Sequence, residues 1–480
     1  MKRKFPEKTG FEYLNNPSKH RIALVYPDDY RVAMSNLGFI YLYQQLLKNP
    51  GIYVERFFNV SSDESGSKLS SFNTIFVSIP YENLILNFID ILEASGMGVN
   101  KRTNLIIAGG VAVTMNPLLI KDIVDLIYLG EVDERLETIL YNLLRLKKRD
   151  FIEWAINEEY FIGFNINEKY PKKPERVKDL NKIHTLSQVI SANTVFSNTT
   201  LVEFSRGCSS KCKFCVTGNY TGSRRQRDAL SFIKLIESDF CKDFPKKLGI
   251  IGSDIRPDRE LNMILDYLIQ SRYITGFSSL RFELIKDLLI VEKLKKLNVK
   301  TITLAPEVGT ARMSKIIDKY FSLDEIMGLA QNLANMGFKN IKFYFIVGLP
   351  YEEDEDIMAI VEIAKLLRGL KCRIHFSISG FVPKPWTPFE KIEINPLETL
   401  SRIAKIRKEI SKYRNVKLSC ESGKEFIKEY LLSRADSDFI LRLKESFLNY
   451  RALPKFLKET AKNVDNNLDL LHSLIAVPLL

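Results

Sequence analysis

Short apolar runs alternate with stretches of helical spacing along much of the chain. Arg21 to Tyr26 reads as a strand followed by a polar loop, and Leu37 to Leu47 then repeats its apolar residues at helical intervals. Thr74 to Ile79 predicts a buried strand, Asn83 to Ala94 a helix, and Asn104 to Ala108 a strand running into Gly109-Gly110. Asp125 to Leu129 is a further strand, ending at Gly130. Apolar strands separated by helices predict a parallel, doubly wound sheet. The loops after Tyr26, Ile79, Ala108 and Leu129 then share its carboxyl edge, where such sheets place ligands. The pattern weakens from about residue 147 to 198, where Tyr170-Pro171-Lys172-Lys173-Pro174 reads as an extended connector.

A second series starts near Leu201. Its candidate strands are Thr200 to Phe204, Leu248 to Ile251, Ser279 to Phe282, Thr301 to Ala305, Ile341 to Val347 and Ile374 to Ser379. Helical stretches such as Leu284 to Leu297, Leu323 to Met336 and Asp354 to Leu370 separate most of them. This is the pattern of a βα barrel or part of one, with its chemistry at the carboxyl ends of the strands. After Pro396 the chain reads as mostly helical.

A length of 480 residues implies two or three domains, and a 45% apolar share supports a sizeable core. The net charge of +12 permits a nucleic-acid partner or an anionic cofactor. Its basic residues are interspersed with acidic ones, as on an ordinary solvated surface. The run Arg224-Arg225-Gln226-Arg227 would suit a phosphate or a solvated face, and no compact RNA-binding motif accompanies it. No apolar run has the length of a membrane span, and Met1-Lys2-Arg3-Lys4-Phe5-Pro6 is not followed by a signal-peptide core. A cytoplasmic protein with no membrane partner is expected.

The chemistry concentrates in one segment, Glu203-Phe204-Ser205-Arg206-Gly207-Cys208-Ser209-Ser210-Lys211-Cys212-Lys213-Phe214-Cys215, directly after the first strand of the second series. Three thiolates on one loop can hold three irons of a 4Fe–4S cube and leave the fourth iron open. Structural zinc wants four ligands, and the nearest later cysteine, Cys241, stands alone. The spacing, with an aromatic before the last cysteine, resembles the radical S-adenosylmethionine superfamily. The resemblance implies that S-adenosylmethionine chelates the open iron and that one-electron reduction cleaves it to a 5′-deoxyadenosyl radical. The electron donor would be a ferredoxin or a flavodoxin. It places Phe214 near the adenine, and Gly252-Ser253-Asp254 where other members carry a turn for the cofactor amino group, with Ser253 and Asp254 as acceptors. Glu307 would accept the ribose hydroxyls, Arg312 would pair with the cofactor carboxylate, and Ile346 and Gly348 would lie against the adenine.

The chain as a whole resembles a subgroup in which a cobalamin-binding-like Rossmann domain precedes the radical barrel. The matching stretches include Met34-Ser35-Asn36-Leu37-Gly38, Ala108-Gly109-Gly110, Gly130-Glu131-Val132-Asp133-Glu134, Ala305-Pro306-Glu307-Val308-Gly309 and Phe381-Val382-Pro383-Lys384-Pro385-Trp386-Thr387-Pro388-Phe389. The implied organisation is α/β: a doubly wound Rossmann-like domain at 1–145, a connector at 146–198, a partial barrel at 199–395 and a mainly helical region at 396–480. Ser35, Asn36, Gly38, Ser78, Gly109, Gly110 and Glu131 fall where cobalamin contacts would lie. The histidine of the usual cobalamin loop is missing, and His20 precedes the first strand. Two readings stand: cobalamin bound without a histidine lower ligand, or a retained scaffold shaping the substrate entrance.

The implied activity is radical modification of an unactivated carbon, as cobalamin-dependent methyl transfer if cobalamin is bound. The substrate, whether small molecule, RNA or protein, is not legible. Methylthio transfer is one rival, although those enzymes carry three further N-terminal cysteines and residues 1–207 contain none. A cluster- or cobalamin-based sensor without turnover is the other.

Overall fold

The structure is a computed structural model that describes residues 6–10, 19–59, 66–98, 103–164, 171–238, 242–278, 280–446 and 453–475. It divides into two compact units. One comprises residues 1–202, 235–245 and 431–480, the other residues 203–234 and 246–430.

The first unit is built on strands β1 (His20–Val25), β2 (Ile52–Phe57), β3 (Thr74–Ser78), β4 (Leu105–Gly109), β5 (Leu126–Tyr128) and β6 (Phe161–Ile162), in the order β2-β1-β3-β4-β5-β6. The first five pair in parallel and β6 closes the edge antiparallel. Ile22, Leu24, Ile75, Val77 and Ile106 are fully or almost fully buried, because helices cover both faces of a doubly wound sheet. The order reverses between β1 and β3, so that point of the carboxyl edge is the topological switch. Asn36 opens the helix Leu37–Lys48 there, its side chain accepting from the Phe39 N–H at 3.0 Å.

The second unit carries two four-stranded sheets. The first contains β7 (Thr200–Arg206), β8 (Arg225–Gln226), β9 (Lys247–Gly252) and β10 (Ile274–Phe277), in the order β8-β7-β9-β10. The second runs β11 (Thr301–Glu307), β12 (Asn340–Val347), β13 (Arg373–Gly380) and β14 (Val416–Cys420), all parallel. The helices Asp354–Leu367 and Pro396–Ile410 pack together, and the second reaches β12, β13 and β14.

One expectation is corrected. The strand expected at Ser279 to Phe282 lies earlier, at β10, and Phe282 instead begins a helix. The packing divides after residue 202, close to the expected boundary at 198, and again after residue 430. Residues 396–430 belong to the barrel unit because β14 extends its sheet, while residues 431–480 return to the first unit. There the Asn116 side chain donates to the Ala435 carbonyl at 2.9 Å, and the Lys172 N–H donates to the Leu474 carbonyl at 2.8 Å. The expected helical tail is thus split by which sheet each segment can cover. Among the described residues, no helix is long and apolar enough to cross a membrane.

Candidate functional site

The three clustered cysteines leave the carboxyl end of β7. The chain turns at Gly207, whose φ is +72° and whose added Cβ would lie 2.4 Å from the Ser223 carbonyl oxygen. Only glycine combines that dihedral with that approach. The Cys208 N–H donates to the Gly222 carbonyl at 3.1 Å. Asn219 gathers the far side of the loop, its amide donating to the carbonyls of Cys212 (2.9 Å) and Cys215 (2.8 Å). Gly218 passes so close to the loop that a Cβ would sit 1.8 Å from the Ser210 carbonyl oxygen.

Cys212 is buried, and Cys208 and Cys215 are half-buried. Burial pushes the Cys212 thiol up to about 11, with Lys319 pulling the other way. Burial also raises Cys208, opposed by the Ser210 N–H and Arg281. A thiolate at Cys212 therefore requires added positive charge, which a bound metal centre supplies. Three thiols on one loop are the donor type and number that a 4Fe–4S cluster needs, since its irons take one thiolate each.

Asp254 is fully buried behind this loop. Its carboxylate accepts from the Ser209 N–H at 3.3 Å and from Arg256 Nε at 3.0 Å. Burial alone would raise its carboxyl; Arg256, the Ser209 N–H and Arg281 outweigh it and hold it below the usual range. Arg281, from beyond β10, lies 3.5 Å from Asp254 and donates to Ser210 Oγ at 2.8 Å and to Cys208 Sγ at 3.8 Å. Asp254 thus braces the loop, and its neighbour Ser253 is exposed.

Arg312 is engaged within the chain as well. It pairs with Asp356 and donates to the Tyr351 carbonyl at 2.9 Å, so the acidic start of the helix Asp354–Leu367 claims it as a rim charge. Glu307 sits at the carboxyl end of β11 with φ +68°, beyond a register irregularity, and pairs with Lys319 at 2.7 Å. A non-glycine residue held there is strained in the way functional positions often are. Phe214 is half-buried on the loop, and Ile346 is half-buried near the end of β12. Gly348 has φ +90° and its missing Cβ would lie 2.3 Å from Thr399 Oγ1, so packing against Thr399 already demands glycine. The run Arg224 to Arg227 is structural: Arg224 pairs with Asp258 at 2.8 Å, and buried Arg227 donates to the Glu203 carbonyl at 2.9 Å.

Two carboxyls at this end of the barrel are shifted by burial. Burial pushes Glu421, just past β14, up to about 7, with Glu429 adding to the rise. Glu352 accepts from the Gly348 N–H at 2.7 Å and faces Arg402 at 3.2 Å, yet burial pushes it to about 7. The folded chain thus keeps a proton on Glu352 that the unfolded chain, near 4.5, releases. Stability from this group is full below pH 4.5 and falls as pH rises toward 7 and beyond. Glu352→Gln is expected to flatten that slope. Measured by urea denaturation, its stability relative to the parent should gain up to ~3 kcal/mol between pH 4.5 and pH 8. An unchanged difference across that range would show Glu352 ionised throughout.

In the first unit, Ser35, Asn36 and Gly38 follow β1, Ser78 ends β3, Gly109 ends β4 with Gly110 next to it, and Glu131 follows β5. All lie at one sheet edge. Several are already engaged. Ser35 accepts from the Val195 N–H at 2.9 Å, Asn36 caps its helix, and Glu131 accepts from the Val177 N–H at 2.9 Å. Gly110 has φ +114°, and a Cβ would strike the Ile79 backbone at 2.6 Å. Val32 and Val111, in short helices that follow β1 and β4, and Tyr81, in the loop after β3, stand exposed at the same edge. His20 begins β1 at the opposite edge and bonds Thr74 Oγ1 at 3.0 Å. Cys241 lies outside the described residues.

Comparison with known proteins gives two family matches. The "Radical SAM superfamily" matches residues 202–364, and "Radical SAM proteins, N-terminal" matches residues 38–158. An uncharacterized protein of Methanocaldococcus jannaschii is 25% identical over 92% of this chain and 93% of its own length. A tRNA-2-methylthio-N(6)-dimethylallyladenosine synthase of Fervidobacterium nodosum is 25% identical over 34% of this chain and 40% of its own. Among solved structures, the cobalamin-dependent S-adenosylmethionine radical enzyme OxsB superposes with TM-score 0.54 at 14% identity, over 90% of this chain. The chain spans 61% of that protein's length. Its form with aqua-cobalamin bound gives TM-score 0.55 at 13% identity, over 94% of this chain and 72% of its own. At such identities the likeness is one of fold.

Proposed function

This chain belongs to the radical S-adenosylmethionine superfamily through residues 202–364, and we propose that it performs a radical modification of an unactivated carbon, with methyl transfer as the leading form. The observation that carries this reading is the braced loop presenting Cys208, Cys212 and Cys215 at the carboxyl end of β7. The cysteines would hold three irons of a 4Fe–4S cluster. When reduced and bound, that cluster with S-adenosylmethionine supplies a 5′-deoxyadenosyl radical.

The chain's own part is binding, orientation and exclusion of water. Phe214 and Ile346 offer apolar surface for the adenine, Glu307 an acceptor for the ribose hydroxyls, and Ser253 an acceptor for the ammonium group. Asp254 and Arg281 act one layer back, holding the loop. The aromatic contact between Tyr220 and Trp386, with ring centroids 5.5 Å apart, joins the turn after β13 to the helix that follows Cys215. That contact holds one wall of the site against the cysteine loop.

Cobalamin is supported by the switch point between β1 and β3, where backbone glycine at Gly110 and the exposed side chains of Val32, Tyr81 and Val111 suit a broad, largely apolar cofactor. It would bind without a histidine from the loop that follows β1. His20 lies at the amino end of β1, five residues and roughly 17 Å of strand from the carboxyl edge. The fold likeness to OxsB agrees.

The test is an anaerobic assay of iron-reconstituted protein with S-adenosylmethionine, cobalamin and dithionite, reading nucleoside products by mass spectrometry. Formation of 5′-deoxyadenosine is expected. S-adenosylhomocysteine appearing with it only when cobalamin is present supports methyl transfer. A fully loaded cluster that yields no 5′-deoxyadenosine, with candidate substrates present, would overturn the radical reading in favour of a sensor.

A further inference from the structure

The inner face of the second barrel sheet is polar and cationic, where a closed barrel would be filled with branched apolar side chains. Along β12, Ile341, Phe343, Phe345 and Val347 are buried, and Lys342, Tyr344 and Ile346 occupy the other face. Along β13, Ile374, Phe376 and Ile378 are buried, and His375, Ser377 and Ser379 alternate with them. The register sets Lys342, His375 and Lys417 in one row and Tyr344, Ser377 and Ser419 in the next, toward the carboxyl ends.

These groups bond one another, and Ser419 Oγ also lies 3.4 Å from Ser377 Oγ, so the positive charge of the face is left without a carboxylate to neutralise it. Lys342 Nζ donates to the Tyr344 hydroxyl at 2.9 Å, and His375 Nε2 lies 2.9 Å from Ser419 Oγ. Tyr344 is 39% exposed although it lies inside the barrel sheet. Among the described residues, no carboxylate forms an ion pair with Lys342, with Lys417 or with Arg373, which begins β13 on the same face. Burial holds His375 below its usual range, and Lys342 and Lys417 hold it lower still, so the imidazole adds no charge but registers a positive local potential. The acids on this face, Glu307 and Glu421, stand at the carboxyl ends, and Glu307 is already paired with Lys319. A face that gathers one sign of charge concentrates ligands of the opposite sign.

We propose that this face binds the substrate through an oxyanion, phosphate or carboxylate, held by Lys342 and Lys417, with Tyr344, Ser377 and Ser419 along its polar stem. The inference rests on the radical reading, which puts the reacting carbon at the carboxyl ends of the strands. From the Lys342 row to Ile346 is four residues, or roughly 13 Å of strand. The substrate is therefore elongated, with its anionic group remote from the carbon that reacts. That separation lets binding energy from the anionic end position the reacting end.

The experiment is equilibrium dialysis of the full, iron-reconstituted chain against radiolabelled pyrophosphate and, separately, radiolabelled succinate, at low ionic strength. Lys342→Gln, Lys417→Gln and the double variant are compared with Lys408→Gln, which removes a charge from an exposed helical position. Binding of one anion, weakened about tenfold or more in the double variant and unchanged in Lys408→Gln, is expected. Preference for pyrophosphate identifies a phosphorylated substrate, and preference for succinate a carboxylate. If neither anion binds, or the double variant binds as the parent does, the inference fails. Dialysis reads no turnover. Anion binding without 5′-deoxyadenosine formation would fault the radical reading, and the converse would fault this one.

Discussion

Replacing Cys212 by alanine is expected to leave a folded protein that loses its iron. Of the three clustered cysteines it is the buried one, and burial drives its thiol to about 11. Without a metal centre the group is a small, neutral, buried side chain, so its truncation costs the fold little. With a cluster it becomes one of three thiolates, and the other two cannot replace it because each is anchored elsewhere on the loop. Losing a direct ligand should exceed the ~10–100-fold cost typical of outer-shell changes. Iron bound after anaerobic reconstitution should fall from four per chain toward background, and 5′-deoxyadenosine formation by more than ~100-fold. Circular dichroism and the thermal midpoint should stay near those of the parent. Parent-like iron content in the variant would remove Cys212 from the ligand set.

Gly218→Ala should have the second large effect, through the backbone. The new Cβ would lie 1.8 Å from the Ser210 carbonyl oxygen, a main-chain atom midway between Cys208 and Cys212 that cannot rotate aside. Relief requires moving the loop, and with it the Asn219 amide that joins Cys212 to Cys215. A stability loss on the order of 1–3 kcal/mol is expected from forced overpacking, together with at least a tenfold drop in iron loading. Gly276→Ala is the matched control. A Cβ there meets nothing within 4 Å, so its iron loading should equal the parent's. Equal loading in both variants would mean that the loop does not take the observed conformation when it binds metal.

Both predictions depend on a loop whose cysteines are obvious in the sequence and whose supports are not. Gly218 and Asn219 follow Cys215 within a few residues, yet nothing in their spacing marks them. Arg281 is more distant still in the chain, and only the return of β10 beside β9 brings it to Cys208. Asp254 is legible as a carboxylate at a strand end, but its pairing with Arg256 and Arg281 is not. A sequence shows that a carboxylate is available and not which arginine has claimed it. The pairing of Arg312 with Asp356 is hidden for the same reason.

The sequence by itself determined the chemistry class, the alternation of strands and helices in both halves, and the carboxyl-edge position of each candidate loop. These follow from local spacing: thiols within one turn-rich segment, apolar periodicity along each element, and glycines at strand ends. Only the tertiary structure decided the strand order β2-β1-β3-β4-β5-β6, the joining of β14 to the barrel sheet, and the return of residues 431–480 to the first unit. It alone decided which charges are spent and which are left open on the barrel's inner face. Those outcomes depend on contacts between residues remote in sequence, and such contacts are selected by burial and charge pairing in the folded chain, where local pattern carries no record of them.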